Sequence, residues 1–495
     1  MQIEQYRPRL EQFHHDLNQE LYLHYSGRKE NLETAGLYSD FSDLFSLETI
    51  REIQSEIDRL PSNGSRKKTF AKLRSFAVEH HLEHNSQHLS QEIAALETRS
   101  AISWDGRKIC VTQVPLYLAN EPDALGRRRL NELRAQVIDG SNSLRRERLA
   151  TMQTAARALG YRHYVEAREQ TTALNYTAFL ASVQTLVERT EDLYHESLSR
   201  SFQRDLGLSL PEAHRCDLPY WTRLNDYDHV YRRERMLPIL FESLGGLGID
   251  PTRQDAISFD LEERPLKHPR AFCAPLRIPQ DIRVVLQPRA GQDGFSALLH
   301  ESGHAQHFAF TSSSLPAEDR LCGDRGLAET YGFLLEQLQC NEVWLKEVVG
   351  FAEPAGLTRF RTLARAHLVR RHCAKLSYEL SLYGEGLENA PKVYADTLSR
   401  ATGLQCDPQS YLADAEDGLD SASYLRAWIF ELQLRDYLRS RFGNAWFAHK
   451  AAGRFLKEIW ETGQLYSVDE LCREIGLGQL EPQVLTNDLI SGLLK

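Results

Sequence analysis

The chain has 495 residues, 42% hydrophobic and 26% charged, an ordinary globular composition that excludes collagen-like, disordered and disulfide-scaffold classes. Its formal net charge of −10 and pI near 6.0 lack the clustered surplus of Lys and Arg that phosphate binding needs, so no nucleic-acid partner is expected. At this length a single core stops growing, and two lobes around a common cleft are expected.

Met-Gln-Ile-Glu-Gln-Tyr-Arg opens the chain with a charged helical pattern and no apolar leader, and no run of about 18 apolar residues follows, so neither export nor a membrane span is expected. Cysteines 110, 216, 273, 322, 340, 373, 406 and 472 stand singly, the pattern of reduced thiols in a cytoplasmic protein rather than of zinc ligands. Helical periodicity runs through roughly residues 3–26, 46–59, 66–98 and 122–159. The basic runs inside the last of these, Arg127 to Arg129 and Arg145 to Arg148, read as solvated helix faces. Phe179, Val183, Leu186 and Tyr194 then form the buried stripe of another helix, and further helical patterns cover about 228–245, 334–350, 358–383 and 422–441. The fold class is mainly α.

Between Asp250 and Gly294 six prolines forbid a continuous helix, and Ile282-Arg-Val-Val-Leu-Gln287, β-branched and proline-bounded, predicts a strand. Gly245 to Gly248 marks the expected lobe boundary, with 1–250 an N-terminal helical lobe and 251–495 a catalytic lobe.

Phe295, Leu298 and Leu299 mark the buried face of a new helix, which Asp293 could cap. On it His300 and His304 stand one turn apart, the spacing that lets two imidazoles converge on one metal ion, while Glu301 is offset so that it can face a metal-bound water. His307 shares the stripe but sits roughly 10 Å along the axis from His300, too far for both to bind one ion. It is expected in the substrate pocket or beside the ligands, with a satisfied structural histidine as the alternative. A third ligand is needed. Glu329, 25 residues after His304 in the first turn of an otherwise apolar helix, is the preferred carboxylate, with Glu318, Asp324 and Glu336 as alternatives.

His-Glu-Ser-Gly-His-Ala-Gln-His307, the carboxylate at Glu329 and the preceding Phe272-Cys-Ala-Pro275 resemble the thimet oligopeptidase and oligoendopeptidase family of gluzincin zinc peptidases over about residues 265–335. The resemblance implies a two-lobed helical clamshell whose deep channel admits short unstructured peptides and excludes folded proteins. It implies one zinc ion per chain, on His300, His304 and Glu329, with Glu301 as general base. Ser423-Tyr-Leu-Arg-Ala-Trp428 matches a tyrosine-rich segment of the family, which makes Tyr424 the expected oxyanion donor. The histidine that the family places about a dozen residues earlier is missing, and Tyr411, expected as a substrate contact, occupies that neighbourhood.

The implied substrates are oligopeptides, cut by a monomer or small homo-oligomer. The strand around Val284 and Val285 is expected to receive an extended peptide as an added antiparallel strand. Two alternatives stand beside this reading. In a metallocarboxypeptidase, Arg426 would grip a terminal carboxylate; in a non-catalytic peptide-binding relative, Glu301 would have no task.

Overall fold

The computed structural model describes residues 3–61 and 64–494, among which twenty-one α-helices and five short strands are found. The stripe of Val183, Leu186 and Tyr194 is buried on a 31-residue helix, Tyr176–Leu206, whose start is capped by Asn175 accepting from the Ala178 amide at 2.8 Å. Helices Ile3–Tyr25, Leu47–Arg59, Ala124–Ala158, Ala355–Tyr383 and Asp420–Phe442 follow the periodicity closely. The pattern over 66–98 divides into Ser65–His84 and Gln87–Arg99, because Asn85 and Ser86 bond back to the carbonyls of His81 and Glu83 and turn the chain. The pattern at 228–245 becomes helical only at Met236, and that at 334–350 is cut by a 3₁₀ turn at Gln337–Cys340.

The strands form a hairpin, β1 (Ala101–Trp104) with β2 (Arg107–Cys110), and a three-stranded sheet of β3 (Ile257–Asp260), β4 (Phe272–Arg277) and β5 (Asp281–Val285). The strand predicted around Val284 is β5, and it is the central one: β3 pairs with it in parallel and β4 antiparallel. Val284 and Val285 are 0% and 1% exposed. With both edges taken, β5 offers no backbone to a peptide, which corrects the expected docking strand; the outer edges, without a strand partner among the described residues, belong to β3 and β4.

Two large cores organise the helices. One joins Leu10, Phe76 and Leu186 to Val369, Trp428 and Leu489; the other runs from Ile239 through Leu299 and Leu334 to Phe430 and Trp460. Residues on both sides of Asp250 enter the second core, so packing is continuous across the expected boundary. A channel of about 1100 Å³ opens between a wall of N-terminal helices, with Leu17, Lys72, Glu79 and Arg168, and a wall carrying Pro275, His304, Glu329 and Arg426. Arg127, read as a solvated face, is instead 1% exposed and paired with Asp217 at 2.7 Å, while Arg148 reaches Asp417. Opposite charges supplied from distant sequence make burial of these cations tolerable. No helix among the described residues is long and apolar enough to cross a membrane.

Candidate active site

Helix Gln292–Phe310 carries His300, Glu301 and His304; it starts at Gln292 after Gly291, so Asp293 lies in its first turn rather than at its cap. Helix Arg325–Glu336 returns antiparallel beside it after a cap in which Asp324 accepts from the Gly326 amide at 3.0 Å. Glycine permits the close crossing: a Cβ on Gly303 would stand 2.2 Å from the Tyr331 carbonyl oxygen, and one on Gly332 2.8 Å from the His300 ring. Any larger residue at either position would push the two helices, and the groups they carry, apart.

The crossing brings three donors together. His300 Nε2 lies 3.1 Å from His304 Nε2 and 3.3 Å from Glu329 Oε2, and His304 Nε2 lies 3.9 Å from the same oxygen. Ligands of a tetrahedral zinc, bound at about 2.0–2.1 Å, stand about 3.3 Å apart, so this triangle has the size of one face of such a site. Glu329 Oε2 is buried without a hydrogen-bond partner. His300 Nδ1 donates to Glu336 Oε2 at 3.1 Å, which leaves the Nε2 lone pair directed at the cluster. Lone pairs of two imidazoles and a carboxylate converging in a buried space repel one another unless a cation lies among them. The residues present therefore fit a metal ion, and they are the same three that the sequence points to.

Glu336 sits seven residues after Glu329, on the same helix face, and is held by Ser296 Oγ at 2.8 Å and Arg361 Nη2 at 3.2 Å. Burial works to raise its pKa, but His300, Arg361 and Ser296 outweigh that and hold it down to about 2. As a competitor for third ligand it is displaced: its oxygens are spent orienting His300. Glu318 is fully buried in an ion pair with Arg7, and Asp324 is occupied as a cap and by Arg426, which removes both remaining alternatives.

Glu301 makes no hydrogen bond or ion pair among the described residues, and its charge acts on His300, His304 and the thiol of Cys273 on β4. Tyr424, on helix Asp420–Phe442, packs its ring 6.2 Å from Phe333 and 5.0 Å from His372. Burial raises its phenol pKa, with Glu329 adding to the effect, so the hydroxyl stays protonated near the carboxylate. His372 places an imidazole beside Tyr424 from outside the local sequence. It comes from helix Ala355–Tyr383, is held neutral by burial, and shares its Nδ1 with Ser421 Oγ at 3.1 Å.

Three expected substrate contacts lie elsewhere. His307 is 0% exposed, its Nε2 donating to the Gly463 carbonyl at 3.1 Å and its ring against Tyr331, because one turn past His304 the helix has rotated into the core. Tyr411 is a core residue whose hydroxyl accepts from Arg146 Nη1 at 3.5 Å. Arg426 is 6% exposed, with its guanidinium taken by Asp324 at 2.8 Å and by Asp469, so it cannot serve an incoming carboxylate.

No family model matches the sequence, and no curated protein matches it. Solved structures do. A protein assigned as an oligoendopeptidase F from Bacillus anthracis strain Ames superposes with a TM-score of 0.67 over 96% of this chain and 88% of that one, at 14% identity. The chain has the oligoendopeptidase F fold. A second structure assigned the same way aligns with a TM-score of 0.64 over 96% of this chain and 85% of its own, also at 14% identity. The helical two-lobed architecture expected from the resemblance is thus the one observed, a likeness of whole chains well beyond the 265–335 segment that carried it in sequence.

Proposed function

We propose that the protein is a zinc-dependent peptidase of short, unstructured peptides. The reading is carried by one observation: two histidines and a carboxylate converge at the floor of a channel, with a second, unpartnered carboxylate beside them. The assignment of the structural neighbours as oligoendopeptidases supports it.

His300, His304 and Glu329 would hold the ion. When bound, it would supply a Lewis acid that brings the pKa of a water towards about 7. Glu301 takes the proton from the attacking water and returns it to the leaving amine, a task suited to a carboxylate with no competing partner. Tyr424 donates its hydroxyl to the oxyanion that develops at the scissile carbonyl, and its ring is fixed by His372, Phe333 and Trp428. Glu336 keeps His300 in the tautomer that leaves Nε2 free. The unpaired edge of β4, whose Cys273 and Pro275 line the channel beside His304, is where an extended peptide adds as a further strand. Backbone pairing fixes direction without demanding particular side chains.

Glu301→Gln should retain one metal equivalent and lose peptide hydrolysis by 10²-fold or more, about what positioned acid–base catalysis contributes. Glu329→Ala should lose the metal itself, read by metal analysis after dialysis. Near-normal turnover by the first variant, or a full tightly held equivalent in the second, would overturn the assignments.

A further inference from the structure

The channel carries more cations than its chemistry uses, and nearly all are committed. Lys72 bonds Asp319, Arg148 Asp417, Arg168 Glu79, Arg325 Asp420, and Arg426 Asp324. Arg74, on the N-terminal wall, donates to the Tyr161 hydroxyl.

Arg270 differs. It is exposed, and among the described residues its guanidinium makes no hydrogen bond or ion pair. Its backbone, by contrast, is held: the Arg270 amide donates to His268 Nδ1 at 3.2 Å, the His268 amide donates to the Tyr25 carbonyl at 2.9 Å, and Arg289 donates to the Pro269 carbonyl at 3.0 Å. A fixed backbone thus presents a free guanidinium two residues before β4 begins at Phe272. Just past Phe272 the same strand enters the channel, which Cys273 and Pro275 line together with His304 and Glu329.

Substrate polarity gives this position a meaning. Antiparallel pairing is the more stable way to extend a sheet. A peptide added antiparallel to β4 runs its C-terminal half towards the start of that strand, and so towards Arg270. Cys273, which lines the channel together with His304 and Glu329, marks the level of the scissile bond. Arg270 stands three residues earlier, about 10 Å of extended chain.

We propose that Arg270 anchors the free C-terminal carboxylate of the substrate, within about three residues of the scissile bond. The inference rests on the peptidase reading and narrows its substrates to peptides that end shortly after the cut. A planar guanidinium with no partner of its own suits a carboxylate, to which it can donate two parallel hydrogen bonds.

The test uses the metal-loaded protein and one N-terminally blocked fluorescent hexapeptide, prepared as free acid and as C-terminal amide. Cleavage of the two is compared in the native chain, Arg270→Gln and Arg270→Lys, and their binding is measured by anisotropy in the Glu301→Gln background with and without Arg270→Gln. The acid should be favoured tenfold or more, through KM and through binding, with product masses placing the cut within three residues of the end. Arg270→Gln should abolish the preference at an unchanged melting temperature, and Arg270→Lys should restore part of it. Equal handling of acid and amide by the native chain overturns the carboxylate assignment and leaves the peptidase reading intact. So does a fall in kcat for both peptides alike in Arg270→Gln, which would make the residue an oxyanion donor. Absence of both cleavage and binding overturns the two readings together.

Discussion

The two walls of the channel treat charge in opposite ways. On the wall built from helices Gln292–Phe310 and Arg325–Glu336, Glu301 has no partner and Glu329 keeps an oxygen free. On the facing wall of N-terminal helices Lys72, Arg148 and Arg168 all face carboxylates. Leaving a buried carboxylate unpaired costs stability, so it persists where a metal or a substrate supplies the missing interaction. Paired charges are architecture. The same division separates His304, at the cluster, from His307, spent on the Gly463 carbonyl.

The sharpest way to break this contrast is Arg426→Met. It strands Asp324, which caps the helix bearing Glu329, and should cost about 3–5 kcal/mol in denaturant unfolding. Little change would mean that Arg426 is not part of the scaffold. A similar loss governs acid stability. His307, with its pKa lowered by burial to about 4, stays neutral when folded, whereas the unfolded side chain protonates near 6.5. The unfolded state therefore binds more protons as pH falls from about 6.5 to 4, and over that window the residue removes up to about 3 kcal/mol, nothing being lost above it. His307→Gln, which can still donate to Gly463, should flatten that part of the stability–pH curve. An unchanged curve would contradict the buried, neutral assignment.

Smaller effects separate the oxyanion side from the metal side. Tyr424→Phe should lower kcat about 10²-fold with metal content intact, and stopped-assay kinetics with metal analysis will show whether the two properties separate. Glu336→Gln should act the other way, weakening metal affinity about 10–100-fold through His300 while the loaded enzyme retains most of its rate. Competition with a chelator reads this directly, and unchanged affinity would exclude a positioning role for Glu336.

Much of the candidate site was legible because it is local. His300, Glu301 and His304 lie within one turn of a helix, and Glu329 opens the next long apolar one, so periodicity alone puts them on usable faces. The spacing of Glu336 from Glu329 was also visible, as two turns of one face, but only the Ser296 and Arg361 contacts distinguish an orienting carboxylate from a ligand. Position in the sheet was not legible. Ile282 to Val285 reads as a strand, yet whether a strand is central or at an edge depends on partners from elsewhere in the chain, here Ile257–Asp260 and Phe272–Arg277.

The sequence by itself determined what depends on neighbours along the chain: the helices with their 3.6-residue stripes, the proline-broken insert before the metal helix, and the identity of the donors. Tertiary structure alone decided which charges are spent. Arg127 and Arg426 look like solvated basic residues until Asp217, Asp324 and Asp469 arrive from distant segments, and His372 reaches Tyr424 from another helix altogether. Burial and pairing are properties of segments meeting in space, and no local pattern encodes them.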